Sequence, residues 1–467
     1  MVIINSLPPA ALLIIGAFLI PFLKGRLKYA YLLLLPVIAF ISVVSMPEGI
    51  HWTVGFLGYD LILGRVDRLS KVFGYIFTIF TFIATLYALH LKKEDGQHVA
   101  AFLAAGSALG AIFAGDLLSF LVFWEMMTIA QTYLIWARRT EASYGAGLRY
   151  FLVHLFGGLC LLAGILIHVH QTGSFEFGVI GLNGLASYLI LIGIGVNGVF
   201  PVLHAWLPDA YPEATITGTV FLSAFTTKVA VYALARSFPG TEILIWIGAA
   251  MTVYPIFYAA IENNLRRVLS YSLMNQVGFM VVGIGIGTPL SLNASVAHVF
   301  NHILYKALLF MSMGAVLHQT GKIKVTDLGG LYKTMPLTTL FCIIGAASIS
   351  GFPLFSGFVN KAMLMSAAAN EGMAILWLVL LFASAGVLHH AGIRVPYYAF
   401  FSQDSGIRTK EPPLNMLLAM AIAAFLCLFI GIMPGPLYAI LPYPVDFQPY
   451  TAEIGRASCR ERVYVLV

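Results

Sequence analysis

Apolar stretches long enough to cross a membrane recur along almost the whole chain. Each has the roughly 18 or more residues that a hydrocarbon core requires. Of 467 residues, 60% are hydrophobic and only 10% are charged, whereas about a quarter of a soluble domain is charged. Because a spanning helix satisfies its own backbone groups in lipid, the sequence predicts an all-α polytopic membrane protein.

Apolar windows between charged residues and Pro/Gly breaks predict about 14 transmembrane helices. They cover residues 7–23, 29–46, 69–90, 98–115, 117–137, 145–168, 184–204, 217–236, 243–260, 270–287, 293–318, 336–369, 373–398 and 414–440. Residues 48–64 alternate apolar residues with glycines and predict a small extramembrane hairpin.

The distribution of lysine and arginine predicts the orientation of these helices. The odd-numbered loops hold sixteen of these residues and the even-numbered loops hold four. Cytoplasmic loops carry the excess of positive charge, so we expect the N-terminus on the outer side of a cell inner membrane. This topology accounts for the net charge of +6, and the sequence predicts no nucleic-acid partner.

Two of the predicted helices are interrupted. Pro201 lies within the seventh, and Gly351-Phe352-Pro353 divides the twelfth, which is too long for one straight span. Breaks at matching positions predict two five-helix repeats, inverted in the membrane, with an ion site near the midplane. The predicted domains are residues 1–97 (helices 1–3), 98–236 (first repeat, helices 4–8), 243–398 (second repeat, helices 9–13), 399–452 (helix 14 region) and 453–467 (tail).

The tail and the cysteines predict little chemistry. The tail, EIGRASCRERVYVLV, resembles translated sequencing adapter; we interpret it as non-native rather than as an exposed terminus, and expect the true C-terminus to be missing. No secretory signal is visible at the N-terminus, so the first helix is expected to remain. The four cysteines show no metal-site or disulfide spacing, and we expect no metal, cofactor or catalytic redox site in this chain.

Three lysines lie inside apolar segments, namely Lys228, Lys306 and Lys361. A charge at the bilayer centre costs about 3 kcal/mol or more, so such residues require partners or a wet cavity. Lysine can also extend its ammonium group to the membrane surface, but Lys228 is about twelve residues into its segment. These positions favour a role in ion or proton movement.

A row of three polar residues accompanies Lys306. His298, His302 and Lys306 are spaced by four, so they share one helix face over about 12 Å. Histidine titrates near neutral pH and a desolvated lysine titrates below its usual range. A single buried histidine is usually a satisfied core residue, but a row of three on an apolar helix predicts a proton relay.

Glu125 is the one carboxylate near the middle of a predicted span. A buried glutamate either pairs with a cation or stays protonated, and Lys228 is the partner that we expect. Asp116 begins the same segment and either caps the helix or assists as an accessory group.

Six stretches together resemble an antiporter-like component of the proton-conducting superfamily shared by Mrp-type Na⁺/H⁺ antiporters, respiratory complex I and membrane-bound hydrogenases. They are FWEMMTIAQTYLI, HAWLPDAYPEA, TTKVAVYALAR, NNLRRVLSYSLMNQVGFM, HVFNHILYKALLF and GFPLFSGFVNK, in family order from about residue 110 to 365. The nearest likeness is to the D component of the Mrp antiporter. The resemblance implies partner membrane subunits.

The resemblance also implies a hydrated polar axis built from matching positions. These are Glu125 on the fifth helix, Lys228 on the eighth, His298, His302 and Lys306 in the centre, and Lys361 on the twelfth. One position departs, since the lysine usual on the seventh helix is replaced here by Asn197, which cannot hold or release a proton near neutral pH. Either His204 or Lys228 substitutes for it, or the chain pumps weakly.

These features leave three functions open. The first is a proton-translocating subunit of a multisubunit Na⁺/H⁺ antiporter. In it, Glu125 and Lys228 form a modulating pair, the row from His298 to Lys306 relays protons, and Lys361 is the terminal proton donor. The second is the proton-pumping arm of a complex I-like or hydrogenase-like enzyme, whose redox chemistry resides in partners. The third is a non-transporting structural subunit. Asp209 and Glu213 either collect protons or serve as ordinary surface residues.

Overall fold

The computed structural model describes residues 7–56 and 58–451. The stretch interpreted as adapter-derived, residues 453–467, lies outside the described residues. The described chain is mostly helical and forms two compact units. The first unit comprises residues up to 239 together with 413–420, and the second comprises 240–412 and the residues from 421 onward.

Among its described residues, the first unit contains nine complete α-helices and one hairpin. They are α1 Pro9–Leu19, α2 Gly25–Ser45, β1 Gly49–Phe56, β2 Tyr59–Val66, α3 Arg68–Ala88, α4 Asp95–Phe113, α5 Leu117–Trp136, α6 Glu141–Thr172, α7 Leu185–Asn197, α8 Trp206–Glu213 and α9 Ile216–Ser237. The strands pair antiparallel, from Gly49 opposite Val66 to Phe56 opposite Tyr59. This hairpin occupies the stretch in which the sequence predicts one.

The second unit is mostly helical among its described residues, with irregular stretches at 402–412 and 441–451. Its helices are α10 Glu242–Ile261, α11 Leu265–Ile286, α12 Pro289–Thr320, α13 Pro336–Ser350, α14 Ser356–Asn370, α15 Ala374–Val387, α16 Arg394–Pro396 and α18 Gly435–Ile440. Helix α17, Leu414–Ile432, begins in the first unit and continues in the second. Two π-helical segments, Leu388–Ile393 and Tyr397–Phe401, flank α16.

Eleven helices of the described chain are long and apolar enough to cross a membrane, and Pro9–Phe22, Leu185–Asn197 and Pro336–Ser350 are shorter apolar helices. The figure of about 14 spans and the inverted repeats stay predictions. The most enclosed spans are α9 and α12, in which 94% and 100% of the apolar window is buried, against 39% for α2 and α6. Helices α9 and α12 are therefore the central helices of their units, and they contain Lys228 and Lys306.

The first unit contains a break between α7 and α8, at the site of Pro201. Val199 and Val202 adopt left-handed backbone angles, with φ of 55° and 72°, which a β-branched residue rarely adopts. Trp206 at the start of α8 donates from Nε1 to the carbonyl of Val196, at 2.9 Å. The tryptophan thus satisfies one carbonyl that the end of α7 exposes.

The second unit contains a corresponding break between α13 and α14, at Gly351-Phe352-Pro353. Leu354 has a φ of 70°, so this break also holds a non-glycine residue in the left-handed region. Gly357, the second residue of α14, lies so close to the carbonyl of Ser348 that an added Cβ would be 1.8 Å from that oxygen. Glycine is therefore required where the two half-helices meet.

Candidate functional site

The carboxylate of Glu125 lies in a space created by a glycine of the neighbouring helix. A Cβ added to Gly158 on α6 would be 1.8 Å from Oε1 of Glu125. Among the described residues, this buried oxygen has no hydrogen-bond partner. The residue as a whole is only half-buried, but its enclosed oxygen is available to accept a proton or a hydrogen bond.

The expected ion pair between Glu125 and Lys228 is wrong. No salt bridge within 4.0 Å joins the two in the described structure. The fully buried ammonium of Lys228 instead donates along its own helix, to the carbonyl of Ser223 at 2.5 Å and to Oγ1 of Thr227 at 3.1 Å. The lysine is satisfied by backbone and hydroxyl oxygens, and the carboxylate lies against α6.

A network of uncharged polar groups lies close to these two residues. Oε1 of Gln131 accepts from the hydroxyl of Tyr150 at 2.7 Å and from Oγ1 of Thr226 at 2.5 Å. The Tyr150 hydroxyl is also within electrostatic range of Glu125. The network connects α5, α6 and α9, and ends two residues before Lys228.

His154 extends this network toward the break in α7. Its ring stacks on Tyr150 with 3.9 Å between centroids and meets Trp206 edge-on at 4.4 Å. Nδ1 lies 2.8 Å from the carbonyl of Tyr150, whereas Nε2 has no hydrogen-bond partner among the described residues. A fully buried histidine therefore lies between the Tyr150 hydroxyl and the start of α8.

Asn197, the last residue of α7, is fully buried. Neither its amide oxygen nor its amide nitrogen has a hydrogen-bond partner among the described residues. His204 lies beyond the break and is only half-buried. An unpartnered amide in an enclosed site requires a water molecule or another polar ligand to satisfy it.

Asp116 serves as the N-cap of α5. Its carboxylate accepts from the backbone N–H of Ser119 and from that of Ile62 on β2, both at 2.7 Å. The Ser119 hydroxyl donates to the same carboxylate at 2.7 Å. This geometry supports the capping interpretation rather than an accessory one.

Asp209 and Glu213 on α8 form ion pairs with arginines. Arg149 of α6 donates to both oxygens of Asp209 at 2.7 and 2.9 Å. Arg138, just after α5, donates to Glu213 at 3.0 Å. Pairs of this kind anchor the short helix after the break, which supports a structural role for the two carboxylates rather than proton collection.

In the second unit, His298 lies in a cluster of hydrogen-bonding groups from α11, α12 and α14. Its Nε2 is 3.2 Å from Oε1 of Gln276 and 3.0 Å from the hydroxyl of Tyr305, which itself donates to Gln276 at 3.0 Å. The amide group of Asn360 lies 3.1 Å from Nδ1 of His298. Both ring nitrogens therefore face groups that can exchange hydrogen bonds with them.

The other members of the predicted row follow along α12. The rings of His298 and His302 have centroids 6.2 Å apart. The ammonium of Lys306 lies 5.7 Å from the ring centroid of Phe310. All three residues are fully buried, so the structure places them on one enclosed helix at the spacing that the sequence predicts.

Lys361 on α14 forms a hydrogen bond across the break to the end of α13. Its ammonium donates to the carbonyl of Ile349 at 2.7 Å and to Oγ of Ser384 at 3.4 Å, and lies 5.3 Å from the ring centroid of Phe279. The centroids of Phe279 and His298 are 5.8 Å apart. A carbonyl freed by the end of a helix thus holds a titratable cation close to the histidine row.

Several polar residues of these clusters were not selected from the sequence. They are Gln131, Tyr150, His154 and Thr226 in the first unit, and Gln276, Asn301, Tyr305, Asn360 and His390 in the second. The signal that could have found them was their position, because each is a residue with a polar side-chain group inside a long apolar segment. An inventory restricted to charged residues does not include amides and hydroxyls.

A protein family described as NADH:quinone oxidoreductase/Mrp antiporter, transmembrane, matches residues 114–387. Three curated relatives are similar over most of this chain. A probable K⁺/H⁺ antiporter subunit (A/B type) of Rhizobium meliloti is 30% identical, covering 83% of this chain and 41% of that protein. The A-type component of the Na⁺/H⁺ antiporter of Alkalihalophilus pseudofirmus is 28% identical (92% and 60%), and hydrogenase-4 component B of Escherichia coli is 26% identical (80% and 62%). The chain thus spans less than two thirds of each.

Solved structures share the fold over nearly the whole chain. A chain of the Mrp complex from Dietzia superimposes with a TM-score of 0.83 at 21% identity, covering 94% of this chain and 96% of that one. A chain of respiratory complex I from Thermus thermophilus gives 0.77 at 23% identity, covering 91% and 97%. At these identities the likeness describes the fold.

Proposed function

Because the chain belongs to the transmembrane family of NADH:quinone oxidoreductases and Mrp antiporters, we propose that it translocates protons within a multisubunit monovalent cation/proton antiporter. The observation on which this rests is the enclosure of lysines in the central helices. Lys228 on α9 and Lys306 on α12 are both fully buried. Such residues are costly in a membrane protein and are typical of ion and proton paths.

In the second unit, the chemistry proposed is stepwise proton transfer along α12. An imidazole accepts a proton on one nitrogen and releases one from the other, so His298 and His302 suit a relay toward Lys306. The Tyr305 hydroxyl and the Gln276 amide orient His298 through hydrogen bonds near 3 Å. Lys361, at the break between two half-helices, is the proposed terminal donor.

In the first unit, Glu125 and Lys228 are proposed as separate proton-binding groups. The amide and hydroxyl groups of Gln131, Tyr150 and Thr226 occupy the region beside them. They bind water and orient it, but they do not change charge near neutral pH. Glu125 and Lys228 are thus the groups proposed to bind and release protons here, with the amide and hydroxyl groups beside them.

The transported cation and the partners are proposed from the relatives. The curated relatives are described as subunits of K⁺/H⁺ and Na⁺/H⁺ antiporters, so K⁺ or Na⁺ is the proposed counter-ion. The same relatives, and the Mrp complex, support assembly with other membrane subunits. A cell inner membrane is the proposed location.

The test is cation-dependent proton flux in inside-out vesicles from an antiporter-deficient host that expresses the complete complex. Glu125→Ala is compared with Glu141→Ala, which changes an exposed glutamate at the start of α6. We expect exchange driven by Na⁺ or K⁺ in the wild type and in Glu141→Ala, and its collapse in Glu125→Ala. Equal exchange in all three proteins contradicts the proposed proton path.

The likeness to hydrogenase-4 component B and to complex I supports a second candidate function, a proton-pumping arm driven by redox partners. In that case an added cation gradient drives no proton movement in vesicles of the assembled complex, whereas an electron donor does. Assembly without either kind of flux favours the third candidate, a structural subunit, which Asn197 at the first break supports.

A further inference from the structure

A buried histidine on the helix that follows α14 has no part in the relay described so far. His390 is 0% exposed, and neither of its ring nitrogens has a hydrogen-bond partner of normal geometry among the described residues. The carbonyl of Gly386, one turn earlier, is the backbone group beside the ring. Because an unsatisfied buried imidazole costs free energy, its retention requires an explanation other than packing.

The helix is irregular at this residue. α15 changes at Leu388 into a π-helical turn that extends to Ile393, and short π-helical turns inside longer helices are frequent at functional sites. Gly392 in this turn lies against Ser350, where an added Cβ would be 2.1 Å from the hydroxyl oxygen. The wide turn therefore lies against the end of α13, at the break that holds Lys361.

Both buried lysines of the second unit interact electrostatically with this ring. Lys306 and Lys361 are each within electrostatic range of His390. Lys361 also donates to the hydroxyl of Ser384 on α15, the same helix that leads to His390. His390 is therefore the one imidazole outside α12 that the described structure associates with both lysines.

We propose that His390 transfers protons between Lys306 and Lys361. A proton leaves the ammonium of Lys306, which becomes a neutral amine, and an N–H bond forms on the free nitrogen of His390, which becomes an imidazolium. The imidazolium then releases the proton from its other nitrogen to the neutral amine of Lys361. This inference rests on the proposed function, since it supplies the step between the central row and the terminal donor.

Two isosteric substitutions test the step in vesicles of the complete complex. In His390→Gln the new side chain cannot titrate. In His390→Glu the side chain has the same shape as glutamine but can bind and release a proton. We expect His390→Gln to lower cation-dependent proton flux by about 100-fold, the lower range for a positioned proton-transfer group, and His390→Glu to recover at least about a tenth of the wild-type flux. The control is His389→Gln, the exposed neighbouring histidine, which should match the wild type.

The same measurements separate the failure of this step from that of the proposed function. If His390→Gln transports as the wild type does while Lys306→Ala is inactive, the proton path stands and His390 is not on it. If His390→Gln and His390→Glu lose flux equally while the complex assembles normally, His390 is a positioning residue and the transfer step is overturned. If Lys306→Ala also retains flux, the proposed proton path along α12 fails, and if the wild type shows no cation-dependent flux, the proposed function itself fails.

Discussion

The central helices of the two units enclose their lysines to the same extent but surround them with different chemistry. Around Lys228 on α9, the ammonium donates to one carbonyl and one hydroxyl, and the network beside it is built on the Gln131 amide. On α12, the helix of Lys306, the same enclosure contains His298 and His302, and His390 lies within electrostatic range of Lys306 and of Lys361. Apart from Lys228 itself, the first set of groups can only order water, whereas the histidines of the second can also change charge step by step.

The breaks differ in the same way. At the first break, the buried residue is Asn197, whose amide has no partner among the described residues. At the second, the ammonium of Lys361 donates to the freed carbonyl of Ile349. Both half-helix ends are enclosed, but in the described structure only the second has a titratable side chain bound there. We infer that proton transfer depends more steeply on single residues of the second unit than of the first.

The largest effect is expected from removing the central lysine of the second unit. Lys306→Ala takes away the group that receives the proton from the histidine row, so we expect proton flux in vesicles of the complex to fall by about 100-fold or more. The control is Lys333→Ala, an exposed lysine of the same unit, which should leave the flux unchanged. Substantial residual flux in Lys306→Ala would remove the proposed asymmetry between the units.

The class of fold and the presence of charged residues inside apolar segments can be predicted from the sequence, because both depend on composition. Apolar length identifies spanning helices, and a lysine or glutamate in an apolar segment stands out by its cost. The spacing of four between His298, His302 and Lys306 follows from the helix period alone. The interruptions at Pro201 and Gly351-Phe352-Pro353 are visible because proline and glycine end helices.

Contacts between helices could not be predicted in this way. The choice of Lys228 as partner of Glu125 assumed that opposite charges meet, but the rotamer of Lys228 returns to its own helix at Ser223. Which helices lie beside one another depends on packing of the whole unit, so the cavity at Gly158 and the Gln131–Tyr150 bond have no local signal. His390 was missed because the two lysines within electrostatic range of it are on other helices, α12 and α14.

A smaller effect on proton flux is expected from a substitution that moves the carboxylate of Glu125 but leaves that residue itself unchanged. In Gly158→Ala the new methyl group would lie 1.8 Å from Oε1 of Glu125, so the flexible end of that side chain must move. We expect the protein to fold and the proton flux to fall by about tenfold, since a displacement of 1 Å at a reacting group can cost up to about 100-fold.

The control for this prediction is Gly145→Ala on the same helix. Its added Cβ would meet only the end of the Arg149 side chain, at 3.3 Å, so its flux should equal that of the wild type. Unchanged flux in Gly158→Ala, with the complex intact, would mean that the position of Glu125 is not critical and that the first unit contributes little to the path.

A further test concerns the break of the first unit. Asn197→Leu replaces an enclosed amide without partners among the described residues by an apolar side chain of similar size. Loss of one water-binding group is worth about 1 kcal/mol, so we expect about a fivefold lower proton flux with normal assembly. Leu191→Ile, which changes a buried residue of the same helix conservatively, is the control. A flux equal to wild type in Asn197→Leu would exclude Asn197 from the path.

The smallest effect on flux is expected from a charge pair that is structural. Arg236 at the end of α9 donates to both oxygens of Asp67, at 2.9 and 2.8 Å. Burial raises the pKa of Asp67, but the guanidinium of Arg236 and the backbone N–H of Ser70 outweigh it and hold the pKa below its ordinary value of 3.8. A carboxylate with a lowered pKa stabilises the folded state above that value, and the contribution is lost as the pH falls through the folded-state pKa.

Asp67→Asn should therefore leave proton flux unchanged but lower the free energy of unfolding at pH 7 by about 1 kcal/mol, a value reduced because a third of the carboxylate is exposed. The difference from wild type, measured as thermal stability of the solubilised complex, should shrink below about pH 4. Asp404→Asn is the control: hydrogen bonds from Arg408 lower the pKa of Asp404 to about 2, yet this exposed pair should leave stability unchanged. A large loss of flux in Asp67→Asn would place Arg236 among the transporting charges and make the first unit resemble the second.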